Sequence, residues 1–356
     1  SNPREQSYDA AIRADSFPLN SFLPADSLGI VDLTLQARGT GFDPLLPRTR
    51  TSLRAQIDRA EFGGRDFGGI ELDAELDSQR LSGRISDRDE ALRLLLSVSG
   101  TLTEREQRIG LSGSVFGFDL AALGVSPEPI GGSFALDASA SAAGKGAYAA
   151  RIALDSIEIR NKHRTDRIRP TSVSLHTDSA ATRAEAASGD LSLTFSTPQS
   201  ADSLIAALTR SARALAGQID AQSIDMEQLK PALPDFALRV SAGPDNILNS
   251  LLKSRKIAFD ALNAEGANCD SLPVSIRLRT EGLAYGNVVL DTVTADIRQN
   301  GKRLEYALGL ANAPGNLDNI ARAGLYGHLV RNTGQANLYQ RHRAGREGFR
   351  FGLDVT

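Results

Sequence analysis

From about residue 50 onward, apolar and polar side chains alternate with a period of two, a rhythm that fits β-strands with one dry and one wet face and little else. Ile70, Leu72, Ala74 and Leu76 alternate with Glu71, Asp73 and Glu75; Leu92, Leu94, Leu96 and Val98 alternate with Arg93, Leu95 and Ser97. The pattern returns in Ile109, Leu111, Gly113 and Val115, then in Phe134, Leu136, Ala138 and Ala140. Tyr148, Ala150, Ile152 and Leu154 continue it, followed by Leu191, Leu193 and Phe195. After a break it resumes with Val274, Ile276 and Leu278, then Leu304, Tyr306, Leu308 and Leu310, then Ala323, Leu325, Gly327 and Leu329, and last Phe349, Phe351, Leu353 and Val355. Turn residues separate the runs, among them Asp77-Ser78-Gln79, Asp87-Arg88-Asp89, Gly131-Gly132, Gly144-Lys145-Gly146, Gln299-Asn300-Gly301 and Asn332-Thr333-Gly334. This is the pattern of an antiparallel meander.

Short strands at this spacing commonly build a sandwich or a barrel. Here the series continues for most of a 356-residue chain, and aromatic residues, the usual plugs of a sandwich core, make up 5% of it with no Trp. The expectation is therefore mainly β: an elongated, twisted antiparallel sheet of roughly 18 to 22 strands, extending about 90 to 100 Å at the usual strand spacing. Twist between neighbouring strands would curl such a sheet, turning its apolar face into a hydrophobic groove.

Residues 199–256 break the rhythm with helical spacing. Leu204, Leu208 and Leu215, with Ile205 and Ala212 beside them, form one stripe behind a cap at Ser200 or Asp202, and Gly217 offers a stop. Asp225 can cap a second short helix through Leu229, ended by Pro231 and Pro234. A third is expected from Pro244, presenting Ile247, Leu248, Leu251 and Leu252. The chain thus divides into strand repeats over residues 1–198, a helical insertion over 199–256 and further strand repeats over 257–356. Helices of this kind bury their stripe on the nearest core, which would make the insertion a cover for part of the sheet; a movable gate is the alternative.

Composition narrows the function. Basic and acidic side chains number 40 and 43, for a net charge of -3, so no overall positive field attracts nucleic acid or an anionic membrane. The single cysteine, Cys269, cannot form an internal disulfide or a thiolate metal cluster. His163, His176, His328 and His342 stand far apart, outside any metal-ligand spacing. No nucleophile elbow or phosphate loop is present, and Gly39-Thr40-Gly41, followed by Phe42-Asp43-Pro44, lacks the third glycine of a dinucleotide site. Glu71, Asp73, Glu75 and Asp77 share the wet face of one strand, where water keeps all four ionised. The basic stretch Arg160-Asn161-Lys162-His163-Arg164, with Arg167 and Arg169, reads as a charged hairpin tip able to meet acidic headgroups or a partner, weakened by Asp166. No catalytic residues, metal ligands or cofactor follow. There is no apolar run long enough to span a bilayer and no signal peptide; Ser1-Asn2-Pro3 has the look of an expression scar, and the close on Arg350 to Thr356 in mid-strand suggests a fragment.

Three segments resemble a known family: residues 14–29 (ADSFPLNSFLPADSLG), residues 33–44 (LTLQARGTGFDP) and residues 233–252 (LPDFALRVSAGPDNILNSLL) are similar to TamB-like proteins, the inner-membrane component of the translocation and assembly module, of the AsmA-like superfamily in its Bacteroidetes-type form. The resemblance implies a β-taco groove in the periplasm, in a protein anchored in the inner membrane of a Gram-negative bacterium and engaging an outer-membrane barrel partner. It further implies phospholipid or another acyl-chain ligand in the groove, lined by the aliphatic positions named above. The alternative is a scaffold that binds outer-membrane protein strands by β-addition.

Overall fold

The computed structural model describes residues 7–18, 28–62, 65–144, 146–162, 164–269, 272–312, 320–342 and 346–355. His163, Lys145, Ser1-Asn2-Pro3 and residues 19–27 of the first family-like segment lie outside the described residues. Two compact units, residues 1–172 and 173–356, divide the chain. Both are antiparallel and mainly β, and the strands are not closed into a barrel.

The first unit runs as a meander through β1 (Ser7–Pro18), β2 (Leu28–Thr40), β3 (Arg50–Phe62), β4 (Arg65–Phe67), β5 (Ile70–Asp77), β6 (Arg80–Arg88), β7 (Leu92–Leu102), β8 (Glu106–Asp119), β9 (Gly131–Ala143), β10 (Ala147–Arg160) and β11 (Thr165–Ile168). Each long strand pairs with the next, except that β4 pairs only with β3, which goes on to pair with β5. Turn chemistry fixes the register. Ser78 and Gln79 both adopt positive φ, the signature of the two-residue turn whose twist matches its flanking strands. Gly113 is needed in β8 because its φ is 153° and a Cβ there would stand 2.1 Å from the Leu95 carbonyl oxygen.

β12 (Thr171–Thr177) carries the chain onward. The second unit continues through β13 (Thr182–Ser188), β14 (Leu191–Thr197), α1 (Ala201–Asp220), α2 (Met226–Leu229), β15 (Phe236–Ala242), α3 (Ile247–Ser254), β16 (Ile257–Ala258), β17 (Ala261–Cys269), β18 (Leu272–Tyr285), β19 (Val288–Asn300), β20 (Arg303–Asn312), β21 (Ile320–Val330), β22 (Thr333–His342) and β23 (Glu347–Val355). Aromatic rings lie over cross-strand glycines here. Tyr306 stands directly opposite Gly327, where a Cβ would be 2.8 Å from its hydroxyl oxygen, and that hydroxyl donates to the Gln335 carbonyl at 3.0 Å. A larger residue at 327 would displace the ring and the bond together.

The helical stretch differs from expectation in four ways, the first being that α1 continues past Gly217 to Asp220. Ser200 and Asp225 do cap α1 and α2, but a strand, β15, lies between α2 and α3 and pairs with β14 and β17. The third helix starts at Ile247 behind an Asn246 cap, not at Pro244. The apolar stripe of α1 is not buried either: Ile205, Leu208, Leu215 and Ile219 are exposed, and the helix docks instead through its small residues Ala207 and Ser211. The Ser211 hydroxyl donates to the Ala232 carbonyl at 2.6 Å, a contact a bulkier side chain would prevent.

Candidate functional site: a continuous aliphatic face

Residues directly opposite in an antiparallel pair point to the same face, so the pairing register determines which side chains share a surface. In the first unit one row reads Ile12, Leu35, Ala55, Leu72, Ile85, Leu96, Gly113, Leu136 and Leu154 across successive strands. The adjacent row reads Ala10, Ala37, Leu53, Ala74, Gly83, Val98, Leu111, Ala138 and Ile152, and beyond it Leu76 and Ile109 lie on the same side. Toward the other strand ends the row Leu94, Val115 and Phe134 extends this face, with Ile70 opposite Ile57 and Leu92 in phase with Leu94.

The second unit repeats the arrangement. Phe195, Leu238, Gly266, Ile276, Ile297, Tyr306, Gly327, Ala336 and Leu353 form one row. Leu193, Val240, Ala264, Leu278, Ala295, Leu308, Leu325, Leu338 and Phe351 form the next. Leu191, Val274, Leu304, Leu310 and Phe349 fall on the same side by strand phase. Every aliphatic position read from the sequence therefore lies, within its own unit, on one face with its fellows. The sequence reading passed over Ile12, Leu35, Ile85, Leu238, Val240 and Ile297, although each obeys the same alternation.

The opposite face is charged. Arg54 pairs with the directly opposite Asp73 at 2.7 Å and Arg50 with Asp77 at 2.8 Å; Arg239 meets Glu265 at 3.2 Å and Arg277 meets Asp296 at 3.7 Å. These pairs are exposed and screened by water, so they select the register more than they stabilise the fold. They also give Asp73 and Asp77 cross-strand partners on the wet face.

Exposure separates this aliphatic face from an ordinary core. Leu96, Val115 and Val274 are buried, yet Ile152 keeps 47% of its surface, Ile276 44% and Leu308 43%. A sealed two-sheet interior would leave such residues nearly inaccessible. In the second unit Met226 and Leu229 of α2 cover the face at Val274, with Ala214, Ile224, Leu233 and Leu304 around them.

A buried charge interrupts the face at Asp87. Asp87 stands opposite Leu94, only 6% exposed, and accepts a bond from the Asp89 N–H at 2.9 Å. Burial pushes its carboxyl pKa up, offset in part by that backbone bond. A raised folded-state value means the ionised carboxylate opposes folding above that pKa, and the penalty is relieved as the pH falls through it toward the unfolded value. Asp87→Asn, which keeps the acceptor, should therefore raise the thermal midpoint at pH 7, with a smaller gain at pH 4. Thermal unfolding of both proteins at the two pH values checks this; a gain that grows in acid would refute it.

His176, His328 and His342 sit on β12, β21 and β22, and among the described residues no three His, Cys, Asp or Glu side chains are grouped to hold a metal. No helix among them is long and apolar enough to cross a membrane. No family model, curated protein or solved structure matches this chain.

Proposed function

We propose that this chain is a segment of a lipid-handling β-scaffold whose aliphatic face shields acyl chains while their polar heads stay in water. The observation that carries the reading is the aliphatic face of each unit, continuous from strand to strand yet left half open at Ile152, Ile276 and Leu308. A fully buried methylene gains about 0.8 kcal/mol, so a surface of this kind holds a chain without a fixed polar site. The resemblance of residues 14–29, 33–44 and 233–252 to TamB-like proteins supports a periplasmic setting between two membranes, in a longer protein anchored in the inner one. On this reading the protein transports rather than catalyses, needs no cofactor, and works with an outer-membrane barrel partner.

Photo-crosslinkers replacing Leu94, Ile152, Ile276 or Leu308 should capture phospholipid, and crosslinkers replacing Asp73 or Glu75 should not. Equal labelling from both faces would sink the proposal.

A further inference from the structure

The charge of this chain is unevenly distributed. Residues 160–169 carry five basic side chains against one acidic one in a protein with a net charge of -3. They form the end of β10, the turn into β11 and the residues just beyond it. The tip is tightly closed: the Asn161 N–H donates to the Arg164 carbonyl at 3.0 Å, and the Arg164 N–H donates to the Asn161 side chain at 3.0 Å. Arg164 is paired with Asp166 at 2.7 Å. Arg160, Lys162 and Arg167 are exposed, and among the described residues no carboxylate lies within ion-pair distance of them, Glu158 included, although it stands opposite Arg167 in register.

The register sets an apolar projection beside this tip. Asp119 pairs with Gly131, and Gly131 with Arg160, so the loop over residues 120–130 leaves the sheet at the same end, on the neighbouring hairpin, about 10 Å away at two strand spacings. That loop is held firmly. The Asp119 carboxylate accepts from the Ala121 and Ala122 N–H groups, and Arg65 Nη1 donates to both of their carbonyls at 2.7 Å. Val125, whose N–H returns to the Leu120 carbonyl at 2.8 Å, is 71% exposed, with Pro127 and Pro129 exposed nearby and Glu128 as the single acidic side chain of the loop.

We propose that this end of the first unit docks on an anionic phospholipid surface, with Val125 entering the interface and Arg160, Lys162 and Arg167 facing the headgroup phosphates. A rigid apolar tip flanked by unpaired cations suits a membrane surface, which offers both an interior that takes the valine and a negative field that attracts the cations. The inference goes beyond the acyl-chain reading of the aliphatic face and does not depend on it.

The test is sedimentation of the whole chain with vesicles of phosphatidylcholine alone and of phosphatidylcholine doped with phosphatidylglycerol. Binding is expected to the doped vesicles and to fall with added salt. The combined Arg160→Gln, Lys162→Gln and Arg167→Gln variant should bind about 100-fold more weakly, at about fivefold per cation, and Val125→Asp about tenfold more weakly. Arg160→Lys with Arg167→Lys should retain binding, because the attraction is to charge rather than to a bidentate geometry. All these positions are exposed, and unchanged thermal midpoints would show that the variants remain folded. Equal binding to neutral and doped vesicles, or wild-type affinity in the triple glutamine variant, overturns the proposal. Binding of heparin or RNA with none to vesicles overturns it as well. Phospholipid capture on the aliphatic face, tested by the crosslinkers above, can succeed or fail independently of every one of these results.

Discussion

Asn249→Ala should cost the second unit about 3 kcal/mol, whereas Leu251→Ala, two residues along the same helix, should change stability by less than about 0.5 kcal/mol. Asn249 is completely buried, and its side chain behaves as a stand-in peptide group. Its Nδ2 donates to the Phe259 carbonyl at 2.8 Å and to the Pro244 carbonyl at 3.1 Å, while its Oδ1 accepts from the Phe259 N–H at 3.3 Å. Truncation leaves these backbone groups unpaired where water does not reach, and each such orphan costs about 1 to 3 kcal/mol. Leu251, although larger and more apolar, is 54% exposed and loses little. Urea unfolding followed by circular dichroism measures both, and for a unit of this size the Asn249 variant should melt about 10 °C lower. Equal midpoints for the two variants would show that α3 docks by some other means.

The same network should make the docking of α3 sensitive to pH. Asn246 Nδ2 donates to Asp190 at 2.6 Å, the Asp245 N–H donates to the same carboxylate at 2.9 Å, and the Ile247 N–H donates to Ser188 Oγ at 3.1 Å. Desolvation alone would raise the Asp190 pKa, but the bond from Asn246 and the backbone N–H groups outweigh it and hold the value below its ordinary one. The carboxylate therefore contributes stability above its unfolded value, and that contribution is lost as the pH falls through the folded one.

How far these features can be read in the sequence depends on the range of the interaction behind them. Alternation is local, so Ile70 to Leu76 or Leu304 to Leu310 announce both their strand and their face, and the register then brings their rows together. β15 follows the same rule in Phe236, Leu238, Val240 and Ala242, but helix signals on both sides, Asp225 with Pro231 before it and Pro244 with a leucine-rich run after it, drew it into the insertion. The exposed stripe of α1 was illegible for another reason. A hydrophobic stripe names the face a helix prefers to bury, whereas the docked face is the one carrying buried Ala207 and Ser211, with Ser211 bonded to Ala232 21 residues away. Asp87 closes an obvious turn triplet with Asp89, and only the pairing with Leu94 shows that its side chain points to the aliphatic face. The Asn249 bonds to Phe259 were hidden in the same way, since nothing in the run from Asn246 to Leu252 says which backbone it will serve.

If the aliphatic face carries acyl chains, one carboxylate placed on it should interrupt them, and the same carboxylate on the reverse of the sheet should not. Ile152→Asp and Ser139→Asp make that comparison on neighbouring strands. Ile152 stands opposite Ala138 on the aliphatic face, whereas Ser139 stands opposite Arg151 on the charged one. Because Ile152 already keeps nearly half its surface, an aspartate there stays hydrated and the fold should survive, and an aspartate at 139 gains Arg151 as a neighbour. A passing acyl chain has no such escape. It must either strip water from the carboxylate or lift away from the sheet, losing about 0.8 kcal/mol for each methylene that loses its cover. Three or four methylenes amount to about 3 kcal/mol, so phospholipid capture by a crosslinker at Leu111, which stands opposite Ala138 on the far side from Ile152, should fall more than about tenfold in Ile152→Asp and remain at the wild-type level in Ser139→Asp. Matching thermal midpoints would tie the loss to the ligand rather than to unfolding. Undiminished phospholipid capture in a folded Ile152→Asp protein would mean that the captured lipid does not run along the face past Ile152.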